Sequence, residues 1–230
     1  MSHSITEFVG TAIGDTIGLV IANVDQDLHH QMGIDPKYRS IGMIGARVGA
    51  GPHIMAVDEA VKATNTEVLS IELPRDTKGG AGHGSLIIIG SDDVSDARRG
   101  VEVALATLEQ TFGDVYANEA GHVEFQYTAR ASYAINKAFG APIGKSFGLI
   151  CAGPAAIGVV LADTAVKAAN VEVVSYSSPS KGTSYSNEVI LTVTGDSGAV
   201  RQAVSAAREV GLKLLGSLGG SPVSTTKPYI

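Results

Sequence analysis

The string VDEAVKATNTEVLSI at residues 57–71 is written a second time, as ADTAVKAANVEVVSY, at residues 162–176. Nine of the fifteen paired positions are identical, among them Asp58/Asp163, Lys62/Lys167, Asn65/Asn170 and Glu67/Glu172. Solenoids repeat every roughly 20–50 residues. An offset of 105 residues in a chain of 230 is instead a whole domain, so the chain reads as a tandem duplication. Two like domains in one chain carry matching surfaces about a pseudo-symmetric axis, which points to assembly before catalysis.

The repeat extends in both directions. RSIGMIGA (39–46) answers KSFGLICA (145–152), SLIIIG ending at Gly90 answers LTVTG ending at Gly195, and EFVGTA (7–12) is set against EFQYTA (124–129). Each copy is then about 105–115 residues, the size of one domain, with the domains expected at 1–122 and 123–230. Within a copy the order reads strand, helix, strand, loop, strand, helix. In the first copy, Ile17–Val24, Ser40–Ala46, Glu67–Leu73 and Ser85–Gly90 are short apolar runs bounded by turn residues. Helices are expected at Val57–Thr64 and Asp92–Thr111, the latter with its apolar residues on one face. Four glycines in RDTKGGAGHG (75–84) make that stretch a loop. The second copy repeats the order with strands Lys145–Ala152, Glu172–Tyr176 and Val189–Thr194, helices Asp163–Ala169 and Gly198–Val210, and loop Ser177–Asn187. The predicted class is α+β with a mixed or antiparallel sheet.

Composition excludes several functions. The net charge of −6 lacks the basic face that nucleic acid requires. No run of eighteen apolar residues spans a membrane, and MSHSITEFVG has no secretory pattern. The single Cys151 forbids an internal disulfide and fits a reducing cytoplasm. With 17% charged and 44% hydrophobic residues, much of the surface is expected to be covered by other copies.

The string A-D-x-x-V-K-x-A-N, a loop, a strand and then GDSGAV (195–200) resembles the core of bacterial microcompartment shell domains. Both copies match, the second more closely. The strands ahead of each first helix look like the circularly permuted, tandem version, a ferredoxin-like α/β sandwich. From SITEFVGTAIGDT through GAGPHIMA, ELPRDTKGGAGHGS and YSSPSKGTSYSNE, the chain resembles the tandem shell proteins of propanediol-utilising compartments, in a form whose start lies close to the first permuted strand. The resemblance implies a pseudohexameric homotrimer in the cytoplasmic compartment shell. It also implies other shell proteins and encapsulated diol-metabolising enzymes as partners, no enzyme activity, and openings that pass glycerol or 1,2-propanediol.

Three groups of residues follow from that resemblance. Lys62, Asn65, Lys167 and Asn170 are expected at the tile edge. Lys78, Gly80, His83, Ser180 and Tyr185 are expected around the central axis. Loops at Arg47 and Gly49, at Asp114, Tyr116, Asn118 and Glu119, and at Lys181, Thr183, Ser184 and Asn187 are expected to line diol openings between the two domains of one chain. Competing chemistry is weak. GAPIGKS (140–146) has three residues between its glycines where a phosphate loop needs four, and it leads into a strand. Without H-x-x-H spacing, no metal, cofactor or catalytic set is expected. His29 and His30 read as solvated, His53 and His122 as hydrogen-bonding residues in short connections, and Cys151 as a buried inert thiol. A second class stays open, a trimeric small-molecule-binding regulator or an α+β enzyme with an interface site. Its support is polar loop content, including Asp76, Asn118, Lys181 and Glu188.

Overall fold

The computed structural model describes residues 6–74, 83–182 and 186–230. The first repeat runs β1 (Phe8–Ala12), β2 (Thr16–Ile21), α1 (Gln26–Gln31), β3 (Ser40–Ala46), α2 (Ala50–Ala63), β4 (Glu67–Glu72), β5 (Ser85–Ser91) and α3 (Val94–Thr111). The second runs β6 (Val115–Asn118), β7 (Gly121–Thr128), α4 (Tyr133–Phe139), β8 (Ser146–Gly153), α5 (Ala155–Ala168), β9 (Val171–Ser177), β10 (Val189–Gly195) and α6 (Ser197–Gly219), with a short β11 (Val223–Ser224). The sheets are ordered β1-β2-β3-β5-β4 and β11-β6-β7-β8-β10-β9, and the pairings within them are antiparallel. The order is the same twice, with β11 added at one edge.

Each sheet packs one face against a helix pair, α2 with α3 and α5 with α6. The repeated glycine of RSIGMIGA and KSFGLICA is what lets the long helix lie close. A Cβ on Gly42 would stand 2.6 Å from Val101 Cγ2, and one on Gly148 would stand 2.7 Å from Val204 Cγ2. Above these glycines the helices bury Val101 and Ala104, or Val200, Ala203, Val204 and Ala207.

The helices differ from expectation at their ends. α2 and α5 begin seven and eight residues before the expected starts at Val57 and Asp163. Gly51 and Pro52 look like breakers, but Pro52 sits in the first turn, where its missing N–H leaves no bond unmade. α6 continues nine residues beyond Val210, because Leu212, Leu214 and Leu215 extend its apolar face into the second core. Residues 115–118, expected as part of a loop, form the strand β6, which pairs with β7 in the second sheet. Hydrogen bonding thus joins the chain from Val115 onward to the second sheet. The match of EFVGTA to EFQYTA also dissolves, since β1 is an edge strand whereas β7 lies between β6 and β8.

The domains meet through α4. Ala134 and Ile135 share a core cluster with Ile54 and Met55 of α2 and with Phe147, Leu149 and Cys151 of β8. The buried Asp58 carboxylate accepts the backbone N–H of Ser132 at 3.0 Å and of Ile135 at 3.2 Å. It thus caps α4 from the other domain, as an N-cap side chain would within its own helix. Burial raises the Asp58 pKa, and Lys62, 2.9 Å away, opposes the rise.

Candidate functional site

The ends of β7, β8 and β10 face α2 across the junction, and their polar side chains collect there. Glu124 of β7 stands opposite Cys151 of β8, and Cys151 stands opposite Ile190 of β10. His122, Glu124, Cys151 and Glu188 therefore share one face by the two-residue period of strands. His83, arriving from the first repeat, places Nδ1 3.0 Å from Glu188 Oε1. His122 Nε2 lies 3.4 Å from Glu188 Oε2. Cys151 Sγ lies 3.6 Å from the same oxygen and 3.9 Å from His122 Nε2. A recess of about 40 Å³ opens beside this cluster, lined by Gly51, Ile54, His83, Glu124, Cys151 and Glu188 among others.

The electrostatics divide the two acids. Burial works against ionisation of Glu188, but hydrogen bonds and charge from His122 and His83 outweigh it and hold its carboxyl far below the usual range. Glu124 accepts only from Gln126 Nε2 at 3.3 Å and has no histidine partner among the described residues. Burial first, and the Glu188 charge second, push it up to about 8, so it is a neutral O–H donor at pH 7. Burial also drives the Cys151 thiol well above its ordinary value.

The remaining expected site residues fall into distinct places. Asp114 is fully buried and accepts from Tyr116 Oη at 3.1 Å, Arg208 at 2.7 Å, and the backbone N–H groups of Tyr229 and Ile230 at 2.8 and 2.9 Å. Asn118 donates to the carbonyls of Leu215 and Gly220. Within one chain the polar atoms of these three tie the C-terminal segment to β6 and α6. Gly49 precedes α2 with φ of 90°, a conformation glycine adopts without strain.

Arg47, Glu119, Lys181 and Asn187 are exposed, and Asn187 Oδ1 accepts from Ala155 N at the start of α5. Ser180 is exposed in a small hairpin closed by a Ser178–Lys181 bridge. His83 was expected at a central axis, but its side chain is buried against Glu188. Lys78, Gly80, Thr183, Ser184 and Tyr185 lie outside the described residues. At the expected edge, Lys62 pairs with Asp58 and Glu59, Lys167 pairs with Asp163 at 2.7 Å, Asn65 donates to Asp96, and Asn170 is exposed.

Three histidine readings are corrected. His29 is buried and its Nε2–H donates to the Tyr38 carbonyl at 3.0 Å, so only His30 is solvated. His122 lies in β7 rather than in a connection. His53 lies inside α2, fully buried, 2.8 Å from Thr16 Oγ1 and 2.9 Å from Ser85 Oγ. Sequence spacing gave no hint of the junction cluster, because residues 83, 122, 151 and 188 come from four separate segments.

The arrangement defines a class: duplicated α+β domains with a polar junction between them and, among the described residues, no nucleophile–base constellation beyond that junction. The family model for the BMC domain matches twice, at residues 40–120 and 146–224, and the chain belongs to the bacterial microcompartment shell protein family. It is 70% identical over 229 residues to the shell protein PduB of Citrobacter freundii, with 100% of this chain and 85% of that one covered. A crystal structure of a trimeric shell protein PduB matches with a TM-score of 0.94 at 57% identity, covering 98% of this chain and 100% of that one. EtuB from Clostridium kluyveri matches with a TM-score of 0.96 at 58% identity, covering 99% and 100%. These relatives are structural proteins, and the chain is a shell component rather than an enzyme. No helix among the described residues is long and apolar enough to cross a membrane.

Proposed function

We propose that three copies of this chain close into one flat tile, that tiles join each other and other shell proteins edge to edge, and that the shell surrounds diol-metabolising enzymes. The observation that carries the trimer is an unequal burial of equivalent residues. In α2, Ile54 and Met55 are 0% and 4% exposed, covered by α4 with its Ile135 at 0%. Their counterparts in α5, Val159 and Val160, are 50% and 46% exposed, and Leu28, the counterpart of Ile135 in α1, is 48% exposed.

One chain thus closes one of two equivalent interfaces and leaves both halves of the other uncovered. Placing α1 of a second copy on α5 of the first repeats the α4–α2 contact. The rotation that relates the domains inside a chain then relates the chains, and a ring of six domains closes with three copies. Light scattering tests this: the expected mass is three times 23.6 kDa, and Val159→Asp with Leu28→Asp is expected to yield monomers. A wild-type monomer at micromolar concentration overturns the ring.

The finer reading concerns passage. Asn187 precedes Glu188 in the chain, and the Arg47 backbone lies against Gly84, next to His83. Glu124 as a donor and Glu188 as an acceptor give a diol two complementary hydrogen bonds, which an aldehyde with one acceptor oxygen cannot match. Binding is weak, because passage demands release as well as entry. Crystals soaked in glycerol or 1,2-propanediol are expected to show the diol between the two domains of each chain. Density confined to the outer surface sinks this reading and leaves the trimer untouched.

A further inference from the structure

We infer that His122, Cys151 and Glu188 form a binding site for one tetrahedral divalent transition-metal ion of the zinc type in each chain, at the junction of its two domains. His122 Nε2, Cys151 Sγ and Glu188 Oε2 all lie within 4.8 Å of one another. Zinc takes nitrogen and oxygen at about 2.0–2.2 Å and thiolate sulfur at about 2.3 Å, so a tetrahedral face has ligand separations of about 3.3–3.6 Å. The observed separations are 3.4 Å for nitrogen to oxygen, 3.6 Å for sulfur to oxygen and 3.9 Å for nitrogen to sulfur. A shift of a few tenths of an ångström in one side chain completes the face.

Three further features fit an ion there. Cys151 and Glu188 are 3% and 2% exposed, and a buried dication is tolerated when its ligands cancel its charge. A thiolate, a carboxylate and a neutral imidazole do so. On binding, the thiol proton leaves to solvent and sulfur takes the metal, while the other two ligands need no further proton loss once His122 is neutral. His83 places Nδ1 on Glu188 Oε1, the supporting hydrogen bond that ligating carboxylates carry. The recess of about 40 Å³ against Cys151 and Glu188 has room for one water as the fourth ligand.

The set is not a by-product of the fold. In the first repeat, by strand register, the place of Cys151 is taken by Gly45, so the thiol belongs to one copy only. Donors of mixed softness, N, S and O, select zinc or cobalt over magnesium or calcium.

The test uses the intact, chelator-stripped protein titrated with Co²⁺ and with Zn²⁺ at neutral pH. One equivalent of Co²⁺ per chain is expected to give the absorption of a four-coordinate site together with a thiolate-to-cobalt charge-transfer band. Zn²⁺ is expected to displace it. Cys151→Ser abolishes the charge-transfer band, His122→Gln lowers affinity at least tenfold, and His83→Gln lowers it by about 10–100-fold, as loss of a supporting hydrogen bond does. Circular dichroism and mass on each variant establish that it still folds. Should a variant fail to fold, protection of Cys151 by Zn²⁺ from a thiol reagent in the wild type reads the same contact. Absence of stoichiometric binding in the wild type, or an unchanged cobalt spectrum in a folded Cys151→Ser variant, overturns the assignment.

Discussion

His53 shows how much one buried side chain can impose. Thr16 Oγ1 donates to the Ile13 carbonyl at 2.6 Å, so it must accept from His53 Nε2–H, and Nδ1 must accept from Ser85 Oγ–H. Both ring nitrogens are committed in the neutral form. Burial accordingly pushes the pKa down to about 4. The unfolded chain, with an ordinary value of about 6.5, takes up a proton that the folded chain refuses. The contribution of His53 to stability is thus complete above pH 6.5 and falls between pH 6.5 and about 4, by about 1.4 kcal/mol per pH unit at most. Denaturant midpoints measured at pH 7 and 4.5 should converge between wild type and His53→Gln as the pH drops; parallel curves place the sensitivity elsewhere. Asp114 makes a second case. Removing it leaves Arg208 and two backbone N–H groups without their anion, and loss of one partner of a buried pair costs about 3–5 kcal/mol. Asp114→Ala is expected to lower the melting temperature sharply, with the C-terminal segment becoming protease-sensitive.

Among the elements, the strand–helix contact sets the tolerance of each sheet. A Cβ at Gly148 meets Val204, Val200 and Val193 at 2.7, 3.0 and 3.1 Å, and one at Gly42 meets Val101 at 2.6 Å and the Ala97 carbonyl oxygen at 3.0 Å. Either helix must rise to admit a methyl group. Overpacking of this kind costs about 1–3 kcal/mol, so Gly42→Ala and Gly148→Ala should each lower the unfolding midpoint measurably in guanidinium. An unchanged midpoint in both would show that the helices float above their sheets. The repeated string also acts differently in its two settings. Asp58 is buried and caps α4, while Asp163, its twin, is exposed and holds Lys167. Identical residues carry different energies because only one of the two helices is covered within the chain.

For the whole molecule, the question is how tiles meet. Lys167 stands exposed at the C-terminal end of α5, and Lys62 holds the matching place on α2. The long stem of a lysine can cover apolar surface while its amine reaches a neighbour's carbonyls. Replacing both by Ala is expected to leave trimers intact and to stop the growth of flat arrays under electron microscopy. Lys62 also steadies Asp58, so the single Lys167→Ala variant isolates the edge; arrays that persist in both variants mean the lysines are only solvated. The duplication, the order within each copy and the family were all legible in the sequence, since identity at a fixed offset and the two hydrophobic periods are local properties. The starts of α2 and α5 were not, because Asp58 and Asp163, acids of the kind that suit a first helical turn, lie in mid-helix.

By itself the sequence determined that one domain is written twice and that each copy alternates strands and helices, because repetition and periodicity need no partner to be read. Only the tertiary structure decided which copy carries chemistry. Strand register brought residues 122, 151 and 188 to one point and delivered His83 from the other domain, contacts between segments far apart in the chain that no spacing rule encodes. It also committed Asp114 and Tyr116 to the anchor of the C-terminal segment. A buried polar group must find its partner wherever the fold supplies one, and that choice is made in three dimensions.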